Sequence, residues 1–297
     1  PGGRTAGPPG PAAMDAAEPP AASEEGLQPG GEEEKAEELA EAPVPWPPEA
    51  FQEEAVLEYD VGRYPFGKVL TPVLQEPAGS DLAQLHETKV GWEIIRCFQR
   101  RPEKVIALGP RGNPWNRRFH GCAQRDPETF SHFVAVYHDF VRSFVLEHLG
   151  ARRVAFQTNP TFRCHLPGCG ASGRPHRDED YFHPRCEVNF WVPLTPVFGS
   201  NSLYAESRRG EGDFRPFELP VGKLVRFFGN QVWHYTLANS TGSTRVSLDF
   251  RVIREQEWCP AAFSFFQLGG HFSVMTPDGV LPQGSEELQR LREAYDC

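Results

Sequence analysis

Thr244-Arg-Val-Ser-Leu-Asp-Phe-Arg-Val-Ile253 is the cleanest alternation in the chain. A strand sends successive side chains to opposite faces. Val246, Leu248, Phe250 and Val252 therefore form one face, and Arg245, Ser247, Asp249 and Arg251 the other. The apolar face requires a packing partner. The charged face is either solvated or, in a two-layer β fold, directed into a pocket. Burying an arginine is costly unless it is paired, and a guanidinium grips a carboxylate with two parallel hydrogen bonds. The segment is a strand, and Arg245 marks either an exposed polar face or an anion site.

The same period of two runs upstream of it. Val154–Gln157, Thr161–Leu166, Cys186–Pro193, Ser202–Ser207, Lys223–Phe228 and Val232–Leu237 read as short strands, separated by glycine and proline. Many short strands with turn signals between them indicate a sandwich or barrel. Before Gly150 the period changes. Pro127–Leu149 reads as a helix with Asp126 as N-cap, Pro127 at the first position and Gly150 closing it; Phe130, Phe133, Val134, Tyr137, Val141, Phe144, Val145 and Leu149 form its core-packing stripe. Asp81–Gln99 reads as a second helix. The fold class is mainly β with flanking helices: a jelly roll buttressed on one side. Residues 55–297 read as one domain, with helical support over 79–150, a β core over about 151–253 and a C-terminal extension over 254–297. No internal repeat is visible.

Charge is unevenly placed. The formal charge of −10 comes almost entirely from residues 1–50, where eleven acidic residues face only Arg4 and Lys35. That stretch, rich in Pro, Gly, Ala and Glu, has little to pack and reads as a disordered tail, with a helical tendency over 31–42 that Pro43, Pro45, Pro47 and Pro48 end. It is a solvating segment or a contact for an unknown protein. Met14 reads as a start site. The near-neutral remainder lacks the basic face of a nucleic-acid binder. Seven cysteines, an odd number, suit reduced thiols better than a disulfide framework. No apolar run has the length of a membrane span, and no signal-peptide pattern opens the chain, so the expected location is the cytoplasm.

The chemistry-bearing candidates lie between residues 150 and 253. His176 and Asp178 stand two apart and, on a strand, share a face. Alone the pair is weak, because 10 histidines and 40 acidic residues would supply roughly one such pair by chance. His234, inside Val232-Trp-His-Tyr-Thr-Leu237, is a mid-strand histidine in apolar surroundings and needs a polar partner; it is a satisfied core residue or a ligand. Two imidazoles and one carboxylate are the protein's share of a facial-triad iron site with open positions. On the Glu187–Thr195 strand, Glu187, Asn189 and Trp191 share a face. Arg163 and His165 share another and are candidates for a cleft mouth. Gly168–Arg174 is a glycine-rich loop running into His176. Cys164, Cys169, His165 and His176 form an alternative zinc set, a poor one without a Cys-x-x-Cys pair.

Taken together, Phe156–Pro167, Pro175-His-Arg-Asp-Glu-Asp-Tyr-Phe-His-Pro184, Glu187–Thr195, Asn201–Ser207 and Trp233-His through Arg251 resemble the Fe(II)/2-oxoglutarate-dependent dioxygenases. Within them they resemble the phytanoyl-CoA-hydroxylase-like branch and its streptomycin-biosynthesis type of small oxygenase. The resemblance covers roughly 150–253. It implies a double-stranded β-helix of the cupin type, with Fe(II) held by His176, Asp178 and His234. It implies 2-oxoglutarate and O2 as co-substrates, and Arg245 on the distal carboxylate with Ser247 adding a hydrogen bond; Asn189, from its strand face, either helps to hold the co-substrate or substrate or makes a structural hydrogen bond. Ascorbate fits as a reductant. The implied reaction hydroxylates a small polar metabolite, with release of succinate and CO2; Asp249, Arg251, Arg163 and Arg174 would suit such a substrate. A non-catalytic metal- or ligand-binding jelly roll is the rival from another class, and a cupin-type metalloenzyme without a keto acid is a rival within enzymes.

Overall fold

The computed structural model describes residues 46–100, 113–172, 174–258 and 264–295. Most of the acidic tail, including its helical stretch at 31–42, lies outside these. A short helix at Glu49–Gln52 overlaps the end of the stretch read as tail. Arg226 Nη2 donates to the Ala50 and Glu53 carbonyls at 2.7 and 2.8 Å and ties that helix down.

The described strands are β1 (Ala55–Glu58), β2 (Val154–Gln157), β3 (Thr161–His165), β4 (Val188–Pro193), β5 (Leu203–Ala205), β6 (Arg215–Pro216), β7 (Lys223–Phe227), β8 (His234–Thr236), β9 (Arg245–Arg254), β10 (Phe272–Thr276) and β11 (Gly279–Val280). All their pairings are antiparallel. The larger sheet has the order β1-β7-β4-β9-β2-β10-β11, with β3 also on β9; the smaller one is β6-β5-β8. The decisive strand is the spine of the larger sheet. Along one edge β9 pairs with β4 from Ser247 to Val252; along the other it takes β3 over Arg245–Asp249 and then β2 over Val252–Arg254.

Alternation then sorts the side chains into two cores. Val246, Leu248, Phe250 and Val252, with Val188, Phe190 and Val192 of β4, pack against the helices in the main apolar cluster. The opposite faces of β4 and β7 give Trp191, Val225 and Phe227 to a second cluster with Ala205, Phe217 and Val232. That second cluster lies between the sheets, which makes the fold a double-stranded β-helix, mainly antiparallel β with flanking helices as the sequence implies.

The long helix starts as expected. Asp126 accepts from the Thr129 amide at 3.1 Å, Pro127 is at its first turn, and Gly150 (φ +57°) ends it. The middle differs: Pro127–Phe140 is α-helical, Val141–Val145 is a π turn, and Leu146–His148 returns to α. Ser143 Oγ donates back to the Asp139 carbonyl there and also meets Tyr64 OH at 2.9 Å. A side chain that bonds the preceding turn competes with the regular ladder. Asp81–Gln99 is two helices rather than one: a 3₁₀ segment Leu82–Glu87 and an α-helix Lys89–Arg100. Thr88 is extended and its hydroxyl accepts from the Gly91 amide at 3.1 Å, beginning a new helix instead of continuing the old one.

The C-terminal extension adds β10 and β11 to the larger sheet, and sequence reading placed no strand there. Cys97, Cys122, Cys164 and Cys169 have free thiols. No described helix is long and apolar enough to cross a membrane.

Candidate metal centre

The two histidines are joined by their backbones. His176 and His234 form an antiparallel bridge, each amide donating to the other's carbonyl at 3.1 and 3.0 Å. This sets the imidazoles side by side, with ring centroids 4.3 Å apart. Each ring is then fixed through Nδ1, which donates to the Arg174 carbonyl at 2.7 Å in His176 and to the Val232 carbonyl at 3.1 Å in His234. A proton held at Nδ1 leaves Nε2 as the free lone pair, the arrangement a metal ligand needs. Burial first, then neighbouring His176, push the His234 pKa down to about 4, so it is neutral at physiological pH.

Asp178 arrives by a turn and not along a strand. Past the bridge its amide donates to the Gly229 carbonyl at 2.9 Å, and a 3₁₀ segment Asp178–Tyr181 follows. The i, i+2 strand geometry assumed for His176 and Asp178 is therefore corrected: bridge and turn together bring them to one side. Asp178 Oδ1 lies 3.8 Å from His176 Nε2 and 3.7 Å from His234 Nε2. The three donor atoms lie within 4.8 Å of one another, separations a single coordinated cation can span.

Arg251 Nη2 also lies 3.1 Å from Asp178 Oδ1, and the other carboxylate oxygen is engaged more fully. Asn189 Nδ2 donates to Asp178 Oδ2 at 2.7 Å, and Arg251 donates from Nε at 3.2 Å and from Nη2 at 3.1 Å. Burial would raise the Asp178 carboxyl, but Arg251, His234, His183 and the Asn189 N–H together hold it far below the usual carboxylate range. Arg251 also pairs with Asp249 at 2.7 Å, and Asp249 with Arg163 at 3.1 Å. A buried charge chain thus fixes the carboxylate from behind.

A second group of Asp178, His183 and Glu187 also lies within 4.8 Å. His183 Nδ1 is 2.9 Å from Glu187 Oε1, near enough for an ion pair though not aligned as a hydrogen bond. Burial raises the Glu187 pKa. Arg251 already supplies positive charge here, with Nε 3.9 Å from Glu187 Oε1, so this group has a cation of its own to balance its carboxylates.

Arg245 lies in the same cleft as His176 and His234, whose walls include Trp191, Phe227 and Tyr235. Its side chain is 1% exposed. Nη1 donates to the Asn201 carbonyl at 3.2 Å and Nη2 to Ser172 Oγ at 3.0 Å, while Nε has no partner. Among the described residues no carboxylate forms an ion pair with it. Burial first, then repulsion from Arg163, lower its pKa to about 10, so it remains a cation at neutral pH. A buried, charged and unneutralised guanidinium beside three convergent metal-type donors is suited to receive an anion. Ser247 Oγ and Tyr235 OH are likewise buried without partners.

No protein-family model matches the chain. The streptomycin biosynthesis protein StrG of Streptomyces griseus is 31% identical to it over 179 residues, which is 60% of this chain and 82% of that protein. The chain belongs to the StrG family. Resemblance to solved structures is more distant. The non-haem monooxygenase ThoJ, in its apo form, aligns with 80% of this StrG-family chain and 83% of its own at 12% identity and a TM-score of 0.41. A Pseudomonas putida prolyl-4-hydroxylase aligns with 69% of this chain and 90% of its own at 18% identity and 0.36.

The StrG-family cleft unites most of the residues singled out in the sequence, in different roles. Asn189 lines it but is engaged with Asp178. Asp249, Arg251 and Arg163 line it yet are paired with one another or with Asp178, so they are not free for a substrate as their composition suggests. Arg174 lines the cleft as well. His165 is no mouth residue: it is buried, its Nε2 2.9 Å from the Gly170 carbonyl. Neither metal-capable group among the described residues contains a cysteine, which removes the zinc set. Sequence reading missed Ser172, Tyr235 and Thr236 as cleft residues. Thr236 carried a legible signal, since it stands two residues beyond His234 on the same strand.

Proposed function

We propose that this protein is an Fe(II)- and 2-oxoglutarate-dependent dioxygenase of the phytanoyl-CoA-hydroxylase-like branch, hydroxylating a small polar metabolite. The observation that carries the reading is Arg245, a buried cation with no ion-pair partner among the described residues, lining the same cleft as His176 and His234, beside which Asp178 lies. A bare metal-binding jelly roll has no use for such a charge; a dicarboxylate co-substrate supplies its partner. In this reading His176 and His234 offer Nε2 and Asp178 offers Oδ1 to the iron, and the donor set of two imidazoles and one carboxylate suits Fe(II). When bound there, iron and 2-oxoglutarate supply the reduction of O2, with succinate and CO2 released and one oxygen atom passed to the substrate. The chain orients and shields that chemistry. Arg245 takes the distal carboxylate, Ser247 offers a hydroxyl on the same strand face, and Asn189 with Arg251 keeps Asp178 turned toward the histidines. Trp191 and Phe227 keep the inner cleft apolar. A small polar substrate also suits a relative named for antibiotic biosynthesis.

The test is an anaerobic titration of the purified protein with Fe(II) and 2-oxoglutarate, followed by O2. A weak visible charge-transfer band and then succinate are expected, even uncoupled from substrate. Absence of 2-oxoglutarate binding would refute the proposal. A band without succinate would favour the non-catalytic keto-acid-binding jelly roll. His234→Ala is expected to abolish iron binding; full iron affinity in that variant would contradict the assigned ligands.

A further inference from the structure

Among the described side chains, Ser172 is the one hydrogen-bonded to the Arg245 guanidinium, through Oγ at 3.0 Å from Nη2. It reaches that position from a loop and not from a strand. Its backbone amide donates to Thr236 Oγ1 at 2.8 Å, and the two hydroxyl oxygens are 3.3 Å apart. Ser172 is thus pinned between β8, which carries His234, and β9, which carries Arg245. All three residues line the cleft.

The hydrogen-bond inventory of this trio is incomplete. Ser172 Oγ accepts from Arg245, which leaves its own proton to donate. Thr236 Oγ1 accepts from the Ser172 amide, which leaves its proton to donate as well. The mutual bond at 3.3 Å takes one of those protons, so the pair keeps one hydroxyl donor beside a guanidinium that lacks an ion-pair partner among the described residues. A carboxylate has room for about four hydrogen bonds and is satisfied by no guanidinium alone. We propose that Ser172, with Thr236, completes the binding site for the distal carboxylate of the keto acid. The inference rests on the 2-oxoglutarate reading and adds to it a loop residue four positions before His176. It follows that the co-substrate holds the segment leading into the metal motif.

The experiment compares two keto acids on the anaerobic Fe(II) protein: 2-oxoglutarate, and 2-oxopentanoate, which has the same carbon count without the distal carboxylate. Dissociation constants are read from the visible band for the wild type, Ser172→Ala, Ser172→Thr and Arg245→Ala. Ser172→Ala is expected to weaken 2-oxoglutarate roughly tenfold or more, the size of one hydrogen bond to a charged group. Its constants for 2-oxopentanoate and for Fe(II) stay as in the wild type, and Ser172→Thr retains the 2-oxoglutarate affinity. Equal weakening of both keto acids would make Ser172 a structural loop anchor and overturn the proposal. Unchanged 2-oxoglutarate binding in Ser172→Ala, with loss in Arg245→Ala, would overturn it while leaving the enzyme reading intact. If Arg245→Ala also binds 2-oxoglutarate normally, the assignment of Arg245 fails and this proposal with it.

Discussion

Replacing Arg245 with methionine separates function from stability. Folding moves the guanidinium pKa down from 12.5 to about 10, first through burial and then through Arg163. A cation whose pKa falls on folding is disfavoured in the folded state, and this cost is present in full below the folded value of about 10. At about 1.4 kcal/mol per pH unit, the cost at neutral pH is roughly 3 kcal/mol. Methionine removes it, keeps apolar volume, and forfeits the bonds to the Asn201 carbonyl and Ser172 Oγ, worth about 1 kcal/mol each. The keto-acid-free variant is therefore expected to be as stable as the wild type or about 1 kcal/mol more stable. Ligand response reverses the order. At a hundredfold excess over its dissociation constant, 2-oxoglutarate stabilises the wild type by about 2.7 kcal/mol, a rise of several degrees in Tm for a domain of this size. Arg245→Met should show almost none of it. Anaerobic thermal unfolding of both Fe(II)-loaded proteins, with and without 2-oxoglutarate, measures all four states. A variant that loses more than about 2 kcal/mol without ligand would show that Arg245 is a satisfied structural residue, and a wild-type ligand shift in the variant would remove it from the co-substrate site.

Arg251→Met breaks the pairs with both Asp178 and Asp249, so a loss of about 3–5 kcal/mol is expected by chemical denaturation, with metal affinity reduced about 10–100-fold by calorimetry; unchanged affinity would mean that Asp178 does not depend on its guanidinium. Gly229→Ala would bring a Cβ within 2.7 Å of Asn189 Nδ2 and displace the amide from Asp178. Its metal affinity should fall about as far as that of Asn189→Ala, and a wild-type value would separate Asn189 from the metal centre. Glu206 accepts from the amides of Gly210, Gly212 and Trp233 at 2.9–3.1 Å, so Glu206→Ala should lower stability by about 3 kcal/mol and weaken metal binding through His234, which follows Trp233. Retention of both would assign the carboxylate a negligible role.

Features that depend on near neighbours were legible in the sequence. The Arg245–Ile253 alternation, the Asp126 cap with Pro127 and the closing Gly150 are local, and each has its expected place. The break at Thr88 was not, because the apolar pattern of 81–99 is compatible with one helix and only the threonine hydroxyl on Gly91 starts a second. The β10 and β11 strands were missed for another reason. Short strands at a sheet edge take their stability from the neighbour they pair with, here β2 for β10, and a partner over a hundred residues away leaves no local mark.

The residue types of the candidate site were readable from the chain alone: His176, Asp178, His234 and Arg245 stand in order, on or beside segments of clear period. Their electrostatic standing was not. Arg245 and Arg251 occupy the same face of one strand and are equivalent by pattern. Tertiary structure gave Arg251 the carboxylate of Asp178, 73 residues away in sequence, together with Asp249 on its own strand, and left Arg245 without one among the described residues. Strand alternation acts between adjacent residues, so sequence encodes which face a side chain takes. Charge pairing acts through space, and only the tertiary fold decided which guanidinium is neutralised and which is left without a counter-ion among the described residues.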